Sequence, residues 1–168
     1  MYTEDEVIEL LKALPPECEF IDYKQTGYKK DKQGYFIKDV ISMLNAYTAY
    51  GRNRFIIIGV DDNRELVGIS EEEIRDDNEY QNWINKISPK PIVNTGQIKY
   101  GNKVFEIICI NKENDGQIYE LVQGVNIQPI HEGQTFYRQG SQNAVLTEEV
   151  RRKIRSSYFD ESKYREKL

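Results

Sequence analysis

Phe55-Ile56-Ile57-Ile58-Gly59-Val60-Asp61-Asp62 is the stretch that decides the architecture. A β-branched run closed by glycine and two acids predicts a strand buried on both faces. Carboxylates at the point where a buried strand leaves the core are held rigidly enough for chemistry. The same Asp61-Asp62-Asn63 also suits a turn, with Glu65 to Ile69 returning as the next strand.

Working outward, the preceding segment is a helix from about Tyr35 to Tyr50. Phe36, Ile37, Val40, Ile41, Leu44 and Tyr47 make its apolar face, and Gly51 serves as its C-terminal stop. Before it, Gln25 to Gly34 is a polar loop in which Lys29, Lys30 and Lys32 alternate with Tyr28 and Tyr35. Lysine next to tyrosine can hold a nucleic-acid strand by charge and stacking, or can simply be a solvated loop. Earlier still, Glu17 to Lys24 includes a strand around Phe20-Ile21-Asp22-Tyr23-Lys24. Alternation puts Asp22 and Lys24 on one face, a pairing suited to phosphodiester chemistry. Glu17 joins them only if a bulge or the turn after Pro16 redirects it. The alternative is a surface strand of mixed charge. Thr3 with Glu6 caps a packing helix that Pro15 and Pro16 end.

Downstream, Ser70 with Glu73 forms a second capping box ahead of a helix carrying Ile74, Tyr80, Trp83, Ile84 and Ile87, with a break near Asp76 to Asn78. Ile92 to Tyr100 and Lys103 to Asn111 read as a hairpin around Gly101-Asn102. Gln117 to Val122 is a short strand, and His131 is a loop histidine. In Thr135 to Asn143, Arg138 precedes Gly140-Ser141. A guanidinium beside free backbone donors makes a phosphate cradle; the alternative is a turn with Arg138 paired to Asp61 or Asp62. Leu146, Val150, Ile154 and Tyr158 share one face of a last helix capped by Thr147. The charged tail from 160 to 168 is expected to fray.

The chain has 168 residues and a net charge of −5. That length suits one α+β domain spanning 1–168, with a core of about 17–155 and a mixed, largely antiparallel sheet flanked by helices. Two cysteines without CxxC and one histidine argue against thiolate zinc and histidine triads, and for a cytoplasmic protein. Any metal would be a hard, oxygen-liganded cation. No apolar run is long enough to span a membrane. The acidic balance counts against a generic nucleic-acid binder, although Arg151, Arg152, Lys153 and Arg155 form a local basic run.

Three blocks taken in order resemble a Schlafen-type AlbA domain. They are Glu17 with Asp22-Tyr23-Lys24; Asn45-Ala46, then Ile58 to Asp62 and Val67 to Ile69; and Tyr137 to Ser141. The resemblance implies a metal-dependent endoribonuclease acting on structured RNA such as tRNA, or a DNA- or RNA-binding module of a regulatory protein. Carried across by position, Glu17, Asp22 and Asp62 would hold Mg2+ or Mn2+, and Lys24 would act with them in catalysis. Lys29, Lys30, Lys32, Arg138 and Ser141 would bind the nucleic acid. A homodimer is implied by analogy with two-lobed relatives. The chain departs from the family by carrying Asp22 where Glu is usual, and by lacking a double glycine before the buried strand.

Overall fold

The computed structural model describes residues 1–48, 51–113 and 115–156. The expectations for Tyr50, Tyr158 and the tail from 160 to 168 lie outside them. The architecture is α+β. The main sheet has four strands, β1 (Ile21–Lys24), β2 (Arg54–Ile58), β4 (Ile92–Tyr100) and β5 (Lys103–Asn111), in the order β1-β2-β5-β4. β1 runs parallel to β2, and the other pairings are antiparallel.

The Phe55 run is central, as its composition requires. Phe55 and Ile57 face one core with Val7 and Leu11 of α1 (Glu4–Ala13). Ile56 and Ile58 face a second core with α2 (Gln33–Leu44) and α3 (Asp77–Ile84). The expected return strand is a correction. Val60 bridges Leu66 and Ile69 bridges Val104, but no ladder forms, because β5 already takes the edge of β2. The hairpin around Gly101-Asn102 forms as read; both turn residues have positive φ, 59° and 62°, as a two-residue turn matched to strand twist needs.

Helix α2 starts at Gln33 after a 3-10 turn, Lys30–Lys32, and stops at Leu44, six residues short of the expected end. Two buried polar residues explain the stop. Asn45 donates to the carbonyls of Tyr119 and Phe136, each at 2.8 Å, and accepts from the Tyr119 amide. Arg54, at the start of β2, donates to the carbonyls of Met43, Leu44 and Ala46. A guanidinium there satisfies carbonyls that a helix end leaves unpaired. Ser70 and Glu73 do form a capping box, but on a single 3-10 turn; α3 begins later, capped by Asp76.

The remaining elements are two small ladders and a terminal helix. β3 (Ile87–Ser88) pairs with β6 (Glu120–Leu121), and β7 (Phe136–Gln139) pairs with β8 (Gln142–Val145). α4 (148–156) follows, with Leu146, Val150 and Ile154 packed against Tyr47, Ile118 and Tyr137. The β7–β8 hairpin lies against α2 on the same face of the sheet as Asp22 and Lys24.

Candidate nucleic-acid interface and its acid cluster

The site begins with the period-2 alternation of β1. Ile21 and Tyr23 enter the α1 core, so Asp22 and Lys24 point to the other side, toward α2. Asp22 is buried there, with its Oδ2 at 3.3 Å from the Lys24 ammonium. The turn after Pro16 supplies the redirection that Glu17 needs. The Cys18 amide donates to the Ile21 carbonyl at 3.1 Å, folding the chain back so that Glu17 comes beside Asp22. Burial, and then the neighbouring Asp22, push the Glu17 carboxyl above its ordinary range; Arg138 pulls the other way.

The cluster includes a carboxylate the sequence reading missed. Asp39 of α2 accepts from the Tyr28 hydroxyl at 2.5 Å and from the Asn143 amide at 2.8 Å, and lies 3.4 Å from the Lys24 ammonium. Burial works against the Lys24 charge, but Asp39 and Asp22 outweigh it and hold its pKa above the usual lysine value. A charged residue inside the apolar run Phe36 to Leu44 was the available signal, since an acid amid a buried helix face needs a partner.

Arg138 has a different role from the one expected. β7 alternates, with Phe136 and Arg138 inward, and leaves Arg138 only 4% exposed. Its Nη2 donates to Asp22 Oδ1 at 2.7 Å and lies 3.7 Å from Glu17. Nε donates to the Cys18 carbonyl at 3.2 Å, and Nη1 to Asn143 Oδ1 at 3.1 Å. So Arg138 pairs with a carboxylate, but with Asp22 rather than Asp61 or Asp62, and it presents no guanidinium to solvent. The neighbouring turn is no open cradle either: the Gly140 amide donates to Glu19, and Ser141 is exposed at the tip.

Asp61 and Asp62 sit on the turn after β2. Asp61 Oδ1 accepts from the amides of Asn63 and Glu65, each at 2.9 Å, so it is a turn former; Asp62 is exposed. Among the described residues no group of three or more Asp, Glu, His or Cys is placed to hold a metal ion. The trio Glu17, Asp22 and Asp62 is therefore not assembled as a centre, and the donor set that does come together holds Arg138 and Lys24 against its carboxylates. As arranged, these residues do not fit a divalent ion. Asp22 Oδ2 is buried and accepts no hydrogen bond, and the Lys24 ammonium at 3.3 Å is its charge partner.

Beside the acids lies an open cleft of about 450 Å3 lined by Lys24, Gly27, Tyr28, Lys29, Lys32, Tyr35 and Asp39. Lys29, Lys30 and Lys32 are all exposed. The Lys32 ammonium lies 5.1 Å from the Tyr35 ring, and Lys30 reaches Glu79 at 3.9 Å. Tyr35 is 46% exposed, an aromatic face at the rim.

The Schlafen, AlbA_2 family model matches residues 17–147. The chain belongs to this family. The Schlafen AlbA_2 assignment spans all three sequence blocks and carries an association with nucleic acid. Among solved structures, the DIP2311 protein of Corynebacterium diphtheriae aligns with TM-score 0.57 at 13% identity, over 90% of this chain and 28% of that one. At that identity the likeness is one of fold, and the Schlafen AlbA_2 chain spans about 28% of the Corynebacterium protein's length. The N-terminal domain of a RecG-related protein of Nitrosomonas europaea, named after an ATP-dependent DNA helicase, aligns with TM-score 0.46 at 15% identity, over 88% of this chain and 97% of that one. No curated protein matches the chain. Among the described residues no helix is long and apolar enough to cross a membrane.

Proposed function

We propose that this Schlafen AlbA_2 domain binds nucleic acid, RNA before DNA, by seating the phosphate backbone in the cleft between β1, the 25–32 loop and α2. The supporting observation is the cleft itself: Lys24, Lys29 and Lys32 line one open groove, with the half-exposed Tyr35 beside them. Lysines neutralise phosphates and an exposed aromatic ring stacks a base, a combination that serves single strands without sequence preference. Each phosphate neutralised on a single strand contributes roughly −0.7 to the slope of log K against log salt. Anisotropy titration of a labelled single-stranded RNA across salt concentrations tests this. The double variant Lys29→Ala/Lys32→Ala should flatten the slope by about 1.4, two contacts' worth. Absence of any complex at low salt with RNA or DNA would reject the reading.

A second reading is a metal-dependent endoribonuclease acting on structured RNA such as tRNA, with Glu17, Asp22 and Asp62 as ligands for Mg2+ or Mn2+ and Lys24 in the reaction. What supports it is geometric: Glu17 and Asp22 stand side by side, with Lys24 3.3 Å from Asp22, an acid pair and a lysine of the kind phosphodiester chemistry uses. It requires Arg138 to leave the acid pair. Incubation with tRNA and Mn2+, beside Asp22→Asn and Asp62→Ala, tests it: cleavage by wild type alone supports the reading, and no cleavage, or equal cleavage by all three, rejects it. Two attributes accompany either reading. One is a cytoplasmic location, supported by two free cysteines. The other is a homodimer that completes the groove, which light scattering would refute by returning a monomer mass.

A further inference from the structure

We infer that Arg138 is the resident cation of the Glu17–Asp22 acid pair, and that this site works without a divalent ion and excludes one while the arginine is in place. Position is the first argument. Nη2 is 2.7 Å from Asp22 and 3.7 Å from Glu17, so the guanidinium occupies the space between the two carboxylates. A Mg2+ or Ca2+ shared by them would need oxygen distances of roughly 2.0–2.6 Å and would have to sit in that same space.

Immobility is the second. Arg138 uses all three of its nitrogens: on the turn before β1 (Cys18), on β1 (Asp22) and on β8 (Asn143). Asn143 is itself fixed by Asp39 of α2. A rigid planar fork held by three segments is not a side chain that swings aside for a ligand. Charge is the third. An ion at the pair would also face Lys24, 3.3 Å from the second oxygen of Asp22.

The inference does not rest on the binding reading, and the experiment separates them. Manganese uptake by the whole chain is followed by loss of the free-ion EPR signal, for wild type, Asp22→Asn, Arg138→Gln, Arg138→Lys and Arg138→Gln/Asp22→Asn. Wild type and Arg138→Lys are expected to leave the signal unchanged up to about 1 mM, the weak end of protein sites for hard cations. Arg138→Gln, which opens the pair, should take up one ion, and the added Asp22→Asn should abolish that uptake. Saturable uptake by wild type that Asp22→Asn removes overturns the inference. So does a folded Arg138→Gln that takes up nothing. Should Arg138→Gln fail the circular-dichroism check for folding, the wild-type titration decides alone. In parallel, RNA affinity in EDTA and in Mn2+ should agree; a tenfold gain with Mn2+ that Asp22→Asn abolishes also overturns it. Loss of RNA binding in both buffers would sink the binding reading and leave the metal result standing.

Discussion

Asp39→Asn should tighten nucleic-acid binding while weakening the fold. The Asp39 carboxylate lies 3.4 Å from the Lys24 ammonium at the floor of the cleft. A phosphate making a charge-assisted contact of about 2.8 Å with that ammonium would lie about 6 Å from Asp39. At that separation, with an effective dielectric constant between about 40 and 80, like charges repel by about 0.7–1.4 kcal/mol. Removing the charge while keeping the shape should therefore improve affinity roughly 3- to 10-fold at low salt, less at high salt. The fold pays a different cost. Asp39 accepts from both Tyr28 and Asn143, and an amide can accept on one side only. Asn143 cannot turn its amide to compensate, because its oxygen already accepts from Arg138. The introduced NH2 then faces the Tyr28 hydroxyl, which can turn to accept from it, so a charge-assisted bond becomes a neutral one and the Lys24 ion pair is lost, together about 1–2 kcal/mol. Anisotropy with a labelled single-stranded RNA reads the first effect, and urea unfolding the second. A variant that is less stable yet binds RNA more weakly, or equally well at low salt, refutes the placement of a phosphate on Lys24.

Three further outcomes follow from the packing. Arg54→Met keeps volume but orphans the carbonyls of Met43, Leu44 and Ala46, and should cost about 3 kcal/mol in urea unfolding after allowing for relief of the buried charge; a loss below about 1 kcal/mol would mean that water replaces the guanidinium. Gly59→Ala should cost about 3 kcal/mol, because Gly59 has φ +119° and a Cβ would lie 2.7 Å from the Phe105 ring and 3.0 Å from the Gly68 Cα; an unchanged melting midpoint would contradict this. Glu17 has a raised carboxyl, so its favourable contribution is complete below the ordinary value of 4.5 and is lost as pH rises through the higher native value. Glu17→Gln mimics the protonated form, so its stability relative to wild type should improve from about pH 4 to pH 7; a flat or falling difference disproves the assignment.

Local patterning carried much of the fold. The Ile56 to Ile58 run is central because nothing polar interrupts it, and the β4–β5 hairpin is set by Gly101-Asn102 between two strand-like arms. Asp22 and Lys24 share a face because strands alternate. What remained hidden depends on long-range choices. The parallel pairing of β1 with β2 passes through α2, so no short pattern announces it. The end of α2 is not legible locally because its stop comes from Arg54, Tyr119 and Phe136, ten to ninety residues away, and not from Gly51. Whether Arg138 faces a phosphate or a carboxylate is open in the sequence, because its inward orientation depends on which face of β7 meets α2. Asp62 is a ligand by family resemblance, and the turn built by Asp61 leaves it exposed.

The remaining difficulty is a net charge of −5 on a domain whose family associates with nucleic acid. The cluster resolves it locally. Asp22 and Asp39, the buried acids nearest the cleft, are matched by Lys24 and Arg138 within 3.4 Å. Buried charges survive only when paired, so these four contribute little field at the rim. Lys29 and Lys32 stand beyond them, exposed, with Lys32 over an aromatic ring instead of a carboxylate. A phosphate approaching the cleft therefore meets two lysines first and a neutralised floor second. Part of the excess acid is elsewhere, in the first turn of α1, which packs on the opposite face of the sheet. With a Debye length of about 8 Å at physiological salt, those distant charges are screened while the rim lysines are not. Raising the salt should thus weaken binding through Lys29 and Lys32 specifically, and substituting exposed acids of α1 such as Glu4 or Asp5 should leave the salt slope unchanged.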